Sequence, residues 1–471
     1  MVQTTAPDEI RELSSPPTNP LPLRQQIRAV KEFHTGQEML RDAGGHVTRL
    51  KNGPAWLTPE AVLATSPRAA RDILGSTGSA ERTPAHAEVS ALLGASLFTL
   101  EHDRWVPRRR ALQPVFTKQN VRAFGGQITQ AADTVTAAWR DGQQVDLDVE
   151  CRRLTLRALG RSVLGIDLDQ RSDVFAELLR TALGYVTARI TSYVNPPRWL
   201  PTPARRRARA AAATMRALAV EVLQACRDDP THDAPLVRAM IAATDPDTGR
   251  PLTDDEICSE LIVFMMAGHD TTATTLTYAL WALGNNPDMQ SRVRCETDAI
   301  GDRELTPEDV AGLRFTVQVL HEALRLCPPA PSIPRLITRD IAVDGHRVKA
   351  GTLCTVGVYA MHRDPDLWEN PLRFDPDRFG PDTAAGRDRW QYIPFSAGPR
   401  TCIGDHFAML EATLALATII RRTEIHSLSE DFPVALPFTM VAATPVLATV
   451  NTRVQRSSAS LSQPPRSAAT T

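Results

Sequence analysis

The stretch "FSAGPRTCIGDHFA", residues 395–408, places one cysteine among glycines, a proline and an arginine, immediately before what looks like a long apolar helix. A lone cysteine is most often a small, buried hydrophobic residue rather than a ligand or a nucleophile. The role of Cys402 therefore has to be decided by its surroundings and by the rest of the chain.

The composition describes a large globular chain of almost neutral charge. Its 471 residues are 42% hydrophobic, which is enough for a large buried core. The formal net charge of -1 provides no long-range attraction to nucleic acid or to an anionic membrane. We therefore expect a small-molecule partner and no nucleic acid. The basic run "RRRARA", residues 205–210, is either the solvated start of a helix or a docking patch.

The cysteines and the first residues of the chain indicate the cellular compartment of the protein. The seven cysteines are scattered and odd in number, without a C-x-x-C pair, which favours a reducing cytosol over a disulfide framework. Cys402 and His406 stand four apart, but no second pair has matching spacing, so we predict no zinc site. The first residues resemble neither a signal peptide nor a membrane span. We expect a soluble, cytoplasmic protein without a transmembrane anchor.

The chain is expected to form one domain. Both ends are rich in Pro, Ser and Thr, which predicts a flexible segment over residues 1–24 and a disordered tail over 456–471. Residues 25–455 contain no linker and are mostly helical. Short alternating apolar stretches predict small hairpins near 47–63, 336–358 and 432–450. The predicted fold class is mainly α with small β-sheets.

Two long helices are predicted from their ends. In "LTDDEI" the Thr253 hydroxyl can cap the first turn and Glu256 can reach back, and the helix should run to about Gly284. At about 1.5 Å per residue it would be about 48 Å long, enough to cross a whole domain. A second helix should start with Thr306 as its cap and end before Pro328.

The stretch "MMAGHDTTATT", residues 265–275, contains residues that weaken a helix. Gly268 is unfavourable in mid-helix, and Asp270 and Thr271 compete for backbone hydrogen bonds. Thr271 follows Ala267 by four residues, so its hydroxyl can bond that carbonyl and open a groove for a water or small molecule. The alternative is a notch that packs against a neighbouring helix.

Charged residues in three further segments suggest buried pairing. Glu322 and Arg325 lie on one helix face, and Arg378 in "RFDPDRF" could complete a network with them. Burial of such charges is unfavourable unless each is paired, whereas a solvated surface pair would contribute little. Trp105 and Arg109 also share a helix face and offer donors suited to carboxylates, although an exposed basic helix with one buried Trp is the alternative.

Together these segments resemble the cytochrome P450 family, the haem-thiolate monooxygenases, in its soluble bacterial form. Phe395, Gly398, Arg400, Cys402 and Gly404 fill every specified position of F-x-x-G-x-R-x-C-x-G. The family's other motifs occur in the family's order: W-x-x-x-R (Trp105, Arg109), A-G-x-D-T-T (267–272), E-x-x-R (Glu322, Arg325), "HRDPDLW" (362–368) and P-x-R-F (376–379). Asp377 stands where the family usually has Glu, and we expect no consequence.

The resemblance implies a single large haem-thiolate domain with a long central helix and a haem b ligated by Cys402. The thiolate would donate electrons that favour O–O cleavage on the opposite face. Gly398 and Gly404 would let the backbone approach the cofactor, and Phe395 would shield the sulfur from water. The remaining cofactor-binding residues are Trp105, Arg109, Arg335 and Arg400, which would bind the propionates, and Ala267 and Gly268 on the long helix.

For the reaction, the resemblance implies that Thr271 holds a water and Asp270 supplies protons, so these are the predicted catalytic residues. We expect insertion of one atom of O2 into a lipophilic molecule by hydroxylation or epoxidation. A terpene, a polyketide or a fatty acyl chain would fit equally well. The expected pocket residues are Phe264, Ala267, Ser332 and Ile333, with the segments 79–100 and 438–442.

Electrons are expected from separate partners, because no flavin or iron–sulfur segment accompanies the haem domain. NAD(P)H would supply them through a ferredoxin reductase and a ferredoxin, with Arg108 and Arg110 as docking charges. We expect a monomer.

Two other functions stay open at this point. One is a P450-type enzyme of another reaction type: C–C coupling, rearrangement or peroxide-driven oxygenation. The Asp270–Thr271 pair argues against peroxide use but not against coupling. The other is a non-enzymatic haem-thiolate sensor, which would not need an acid and an alcohol in the long helix.

Overall fold

Most of the chain is helical in the computed structural model, which describes residues 7–51, 60–75, 78–165, 172–192, 195–229 and 231–453. The α-helices are α1 (Pro7–Glu12), α2 (Leu23–Lys31), α3 (Phe33–Gly44), α4 (Pro67–Leu74), α5 (Pro84–Leu93), α6 (His102–Leu112), α7 (Lys118–Val121), α8 (Gly125–Ala137), α9 (Leu147–Leu159), α10 (Ser172–Thr191), α11 (Pro203–Asp228), α12 (Pro235–Ala242), α13 (Asp254–Gly284), α14 (Pro287–Asp298), α15 (Arg314–Leu326), α16 (Val358–Met361), α17 (Pro381–Ala384) and α18 (Asp405–Arg422).

The strands are short and form small sheets at the periphery. They are β1 (Val47–Leu50), β2 (Ala61–Ala64), β3 (Ala80–Glu81), β4 (Gln143–Asp146), β5 (Ser332–Ile337), β6 (Ile341–Val343), β7 (His346–Val348), β8 (Leu353–Gly357), β9 (Thr423–Ser427), β10 (Val434–Ala435), β11 (Val441–Ala442) and β12 (Leu447–Thr452). The largest sheet has the order β1-β2-β8-β5-β3, and β4-β12-β9, β10-β11 and β6-β7 form the others. The predicted class, mainly α with small β-sheets, is confirmed.

Helix α13 begins and ends where the sequence predicts. The Thr253 hydroxyl accepts from the Glu256 N–H at 3.3 Å, and the Glu256 carboxylate accepts from the Thr253 N–H at 2.9 Å. The helix is 31 residues long and mostly buried, with α9, α11, α15 and α18 packed around it. Residues of α13 therefore lie in the interior of the protein and can contribute side chains to a site there.

The second predicted helix is broken, and this prediction needs correction. Pro307–Ala311 is a 3-10 helix, and α15 starts separately at Arg314. The new helix has its own cap, because the carboxylate of Glu296 on α14 accepts from the N–H groups of Phe315 and Thr316 at 2.6 and 2.9 Å. A cap from another helix leaves no local signal in the sequence.

The hairpin predictions hold where the chain is described. Strands β6 and β7 pair antiparallel through a turn in which Asp344 and Gly345 have φ of 45° and 81°, the conformation typical of a tight two-residue hairpin. Strands β1 and β2 pair antiparallel. Residues 52–59, predicted to connect them, lie outside the described residues.

The flexible segment expected over residues 1–24 stays a prediction, and residues 7–24 contain regular structure. They include α1, and the buried side chain of Asn19 donates to the Leu40 carbonyl at 2.8 Å. This contact fastens the segment to α3, and a polar, proline-rich composition does not reveal it. The predicted tail over 456–471 lies outside the described residues. The domain limits at 25 and 455 stay a prediction.

Two surface features complete the fold. The run 205–210 lies in the first turns of α11, which Thr202 caps, and Arg206, Arg207 and Arg209 are exposed, as a solvated helix start requires. Among the described residues, no helix is long and apolar enough to cross a membrane.

Candidate active site

The cysteine loop is closed by its own backbone. The Cys402 N–H donates to the Phe395 carbonyl at 2.9 Å, so the loop ends directly before α18. Gly398 lies between them with φ of 75°, and a Cβ there would meet the Leu74 carbonyl oxygen at 2.1 Å. Only glycine fits this position, because both the conformation and the close approach exclude a side chain.

Cys402 lies in the loop directly before α18. Its residue surface is accessible, yet desolvation by the surrounding protein raises the pKa of its thiol to about 11. The Gly404 N–H and the Arg109 guanidinium act in the opposite direction and favour the thiolate. No atom of the described residues beyond the chain neighbours lies within 4 Å of a Cβ position at Gly404, so the backbone there is open on that side.

A cluster of cations surrounds the cleft beside the cysteine loop. Arg335 and Arg400 line it together with His102, and Arg82 lies close to both arginines. Arg400 donates to the Glu81 carboxylate at 2.8 Å. Desolvation and the charge of Arg400 lower the pKa of Arg335 to about 10. One buried and two half-buried arginines thus lie beside one carboxylate, which leaves an excess of positive charge that favours an anionic ligand.

Two of the predicted propionate ligands flank this cluster. Trp105 is buried, and the guanidinium of Arg400 lies 4.8 Å from its ring centroid. Arg109 is half-buried and donates to the Thr401 carbonyl at 3.2 Å, inside the cysteine loop. Helix α6 therefore lies beside this loop.

These residues fit a haem. The positive excess of Arg82, Arg335 and Arg400 matches the two propionates of the cofactor, and the open backbone at Gly404 leaves room for the flat ring. Cys402 would supply the sulfur ligand, because a bound metal ion would stabilise its deprotonated form against the desolvation penalty. When bound, haem would supply the redox-active iron at which O2 is activated.

One face of α13 carries the predicted distal residues. Phe264, Ala267, Gly268 and Thr271 follow one another at helical spacing, and Ala267 is exposed in the middle of an otherwise buried helix. The Thr271 hydroxyl donates to the Ala267 carbonyl at 2.6 Å, as the spacing predicts. A Cβ at Gly268 would lie 3.0 Å from the Leu159 side chain of α9, so Gly268 also forms a packing notch. The packing interpretation therefore applies to Gly268, whereas the groove beside Thr271 stays a prediction.

The second predicted catalytic residue is held by another helix. The Asp270 carboxylate forms an ion pair with Arg152 of α9, and Arg152 also binds Asp148 at 2.8 Å. The neighbouring His269 is buried and lies 3.1 Å from the Thr155 hydroxyl, and desolvation lowers its pKa to about 4. Asp270 is thus oriented from α9, and His269 is neutral near pH 7.

Glu322, Arg325 and Arg378 come together in the interior. Arg325 donates twice to the Glu322 carboxylate, each at 2.7 Å, and Arg378 approaches the same carboxylate at 3.4 Å. Arg325 also donates to the carbonyls of His362 and Pro371 at 2.7 Å. The network therefore ties α15 to the chain that leads into the cysteine loop.

Two of the predicted pocket residues, Ser332 and Ile333, lie on opposite faces of β5. Ile333 is buried in the hydrophobic core behind the five-stranded sheet, on the same strand face as Arg335, whereas Ser332 is half-buried on the opposite face. Phe438, from the other predicted segment, lies 6.3 Å from Phe98 between ring centroids. Phe264 packs edge-on against Phe116 at 5.0 Å. Their pocket roles stay predictions.

The prediction that Arg108 is a docking charge is wrong. Arg108 is buried, and its guanidinium lies 2.9 Å from Glu260 and 2.5 Å from Glu256. Arg110 is half-exposed but pairs with Asp247. Helical spacing gave no sign that Arg108 faces inward, because its partners lie about 150 residues away on α13.

Sequence reasoning missed several residues of the site. Arg152, Arg82, Glu81 and Glu260 stand in no motif, and their partners are remote in the sequence. A charged residue inside an apolar stretch is the one signal that could have drawn attention to Glu260.

Known proteins are similar to this chain in sequence and in fold. The family model described as Cytochrome P450 matches residues 15–451. The Cyclooctat-9-en-7-ol 5-monooxygenase of Streptomyces melanosporofaciens is 30% identical over 81% of this chain and 82% of its own length. The Pentalenene oxygenase of Streptomyces avermitilis is 30% identical over 73% of this chain and 77% of its own length.

The fold has matches among solved structures as well. A crystal structure of the cytochrome P450DA heme domain superposes with a TM-score of 0.82 at 25% identity, over 94% of this chain and 98% of that chain. The predicted haem-thiolate fold is therefore confirmed.

Proposed function

This chain belongs to the cytochrome P450 family, and from that membership we propose that it hydroxylates or epoxidises a terpene-type molecule. As a member of the family it is a monooxygenase, an oxidoreductase that contains haem and acts with O2, redox partners and a lipophilic substrate. Terpene chemistry is supported by the names of two relatives, which describe oxygenation of cyclooctat-9-en-7-ol and of pentalenene.

The observation that carries the proposal is the accessible apolar surface on α13 at Ala267 and at the half-buried Phe264. Phe264 and Ala267 offer hydrocarbon surface, and Ala267 is exposed in mid-helix. The cations of the site cluster on the cysteine side, where Arg82, Arg335 and Arg400 would bind haem b. A substrate on α13 would then meet apolar groups, which suits a hydrocarbon.

The chain's own residues would control water and protons. The Thr271 hydroxyl donates its proton to the Ala267 carbonyl, so its oxygen is left as an acceptor for a water. Asp270, oriented by Arg152, would relay protons to that water from one residue away. Cys402 would hold the iron, and the Phe395 carbonyl fixes its backbone. An acid and an alcohol in this arrangement favour O2 activation over peroxide use.

We propose that electrons come from NAD(P)H through a ferredoxin reductase and a ferredoxin that docks beside α6. Arg104 and Lys118 are exposed, and neither has an ion-pair partner among the described residues. They lie on either side of Arg109 in the sequence, whose guanidinium contacts the cysteine loop. They replace the buried Arg108 as docking charges for an acidic protein. We also propose a monomer.

The proposed function is tested by turnover of the haem-loaded protein with a ferredoxin, its reductase and NADPH. Candidate substrates are cyclic terpene hydrocarbons and alcohols, with fatty acids and macrolides as the other classes. Incorporation of one atom from isotopically labelled O2 into a terpene supports the proposal. Oxygenation of only fatty acids or macrolides would refute the substrate class.

A further inference from the structure

The buried carboxylate of Glu260 has an unusual set of partners. It lies on α13, fully buried, and accepts from the Leu97 backbone N–H at 2.9 Å. It also accepts from the Arg108 guanidinium of α6 at 2.9 Å. Burial of a carboxylate is unfavourable, and an apolar side chain would suit the hydrophobic surroundings better. The specific contacts therefore indicate a positioning role.

Residues 94–100, which follow α5, are fastened to α13 at this point. Gly94 has φ of 100°, and a Cβ there would lie 2.4 Å from the Ser259 hydroxyl, so the backbone packs directly on α13. Three residues later, Leu97 is bonded to Glu260. The 94–100 segment thus contacts two consecutive residues of α13, Ser259 and Glu260.

The other side of the 94–100 segment contacts Arg82 and Arg400, two of the arginines that would bind the haem propionates. Arg400 donates to the Leu100 carbonyl at 2.8 Å, and Arg82 donates to the Leu97 carbonyl at 3.4 Å. The Arg82 guanidinium also lies 5.5 Å from the ring centroid of Phe98. The segment therefore connects α13 with the residues that would bind the propionates.

Phe98 is the aromatic side chain that the segment carries. It is half-buried, and its ring lies 5.1 Å from His86 and 6.3 Å from Phe438 between centroids. Its backbone follows directly on Leu97, so a shift of the Leu97 amide would move this ring.

We propose that Glu260, oriented by Arg108, is a positioning residue that sets the 94–100 segment through the Leu97 amide and so places Phe98 as a wall of the substrate cleft. The inference rests on the proposed function, because it assumes a bound haem and a substrate cleft beside the 94–100 segment. It goes beyond that function in naming the residue that adjusts substrate fit without touching substrate or cofactor.

The first test is a spectral titration of the haem-loaded protein with two iron-binding probes. Imidazole is too small to contact the wall of the cleft. The phenyl ring of 4-phenylimidazole extends further from the iron and should contact it. Glu260→Leu removes the acceptor, Glu260→Gln keeps an acceptor oxygen, and Asp255→Leu removes an exposed carboxylate from the same helix as a matched control.

We expect Glu260→Leu to change the dissociation constant of 4-phenylimidazole about tenfold, equivalent to about 1.4 kcal/mol, and that of imidazole less than about twofold. Glu260→Gln and Asp255→Leu should stay within about twofold of the parent for both probes. An equal change for both probes, or a Glu260→Gln variant that behaves like Glu260→Leu, would overturn the proposal.

The second test is hydrogen exchange of the 94–100 segment, measured by mass spectrometry on the same holoproteins. Glu260→Leu should increase exchange in this segment, while α18 stays protected. Unchanged exchange would contradict the inference. The carbon monoxide spectrum of each reduced variant separates the two proposals, because loss of the thiolate-haem band in the parent protein would refute the proposed function itself.

Discussion

The Asp270 carboxylate of α13 forms an ion pair with Arg152 of α9, across the interface at which Gly268 packs against Leu159. The proposed catalytic acid is therefore oriented by a helix that supplies no motif of its own. Arg152 also binds Asp148, so its guanidinium is fixed from both sides. Proton supply from Asp270 should depend on this pair.

We predict that Arg152→Gln lowers turnover about tenfold, the effect of about 1.4 kcal/mol, and leaves substrate affinity unchanged. The reason is that Asp270 loses the partner that orients it. The measurement is kcat with its solvent deuterium isotope effect, which should increase. Arg153→Gln, whose parent side chain pairs with Glu150 on the same helix, is the control. An unchanged isotope effect in Arg152→Gln would contradict the role.

Thr271→Ala should uncouple electron use from product formation. The variant lacks the hydroxyl that bonds the Ala267 carbonyl and leaves an acceptor for water. We expect the protein to consume NADPH and release hydrogen peroxide, with most product lost. Thr271→Ser keeps the hydroxyl and should restore most of the coupling. Full coupling in Thr271→Ala would exclude Thr271 from proton control.

Gly398→Ala should reduce haem content. The added Cβ would meet the Leu74 carbonyl at 2.1 Å, and φ of 75° is unfavourable for alanine. Gly386→Ala is a matched control, because its φ is 88° and its Cβ position is open. The control should lose only about 1–2 kcal/mol of stability from the backbone conformation. The measurement is the ratio of haem to protein in the two purified variants. Equal ratios in Gly398→Ala and Gly386→Ala would show that the cysteine loop tolerates a side chain.

Glu322→Gln should destabilise the fold strongly. Glu322 and Arg325 are fully buried, and an unpaired buried charge costs about 3–5 kcal/mol. The exposed Arg292–Asp377 pair provides the comparison, and Asp377→Asn should cost less than about 1 kcal/mol. The free energy of unfolding in urea measures both. A small loss for Glu322→Gln would mean that the network contributes little to stability.

The Glu260 carboxyl should make stability depend on pH. Burial raises its pKa from 4.5 to about 7, opposed by Arg108 and the Leu97 N–H and reinforced by Glu256. Arg250 pairs with Glu256, and Arg216 of α11 binds the adjacent Ser259. Because the folded state binds this proton more tightly than the unfolded chain, the free energy of unfolding should fall as pH rises from 4.5 to about 7.

The expected loss is about 1.4 kcal/mol per pH unit, or about 3 kcal/mol over this window. Glu260→Gln cannot titrate, so it should lack this contribution. Urea unfolding of the parent protein and of Glu260→Gln at about pH 5 and about pH 8 gives the pH-dependent difference in the free energy of unfolding. A parent and a variant with the same pH dependence would show that Glu260 stays ionised throughout.

The features that were predicted from the sequence are local ones. The capping box of Thr253 and Glu256, the bond from Thr271 to Ala267 and the turn at Asp344–Gly345 each involve residues within a few positions of one another. Their geometry follows from backbone spacing and side-chain length, so the order of residues determines them. The cysteine loop belongs to the same group, because its motif occupies ten consecutive positions.

The features that only the tertiary structure decided depend on which helix faces which. Arg108 was predicted to be exposed and is buried against Glu260, and the helix expected after Thr306 is interrupted because Glu296 caps a new one. The pairing of Arg152 with Asp270 is of the same kind. A charged side chain is placed by the partner that compensates its burial, and that partner can lie more than a hundred residues away. The sequence by itself therefore determined the cysteine loop and the central helix, whereas packing between helices decided which charges surround them.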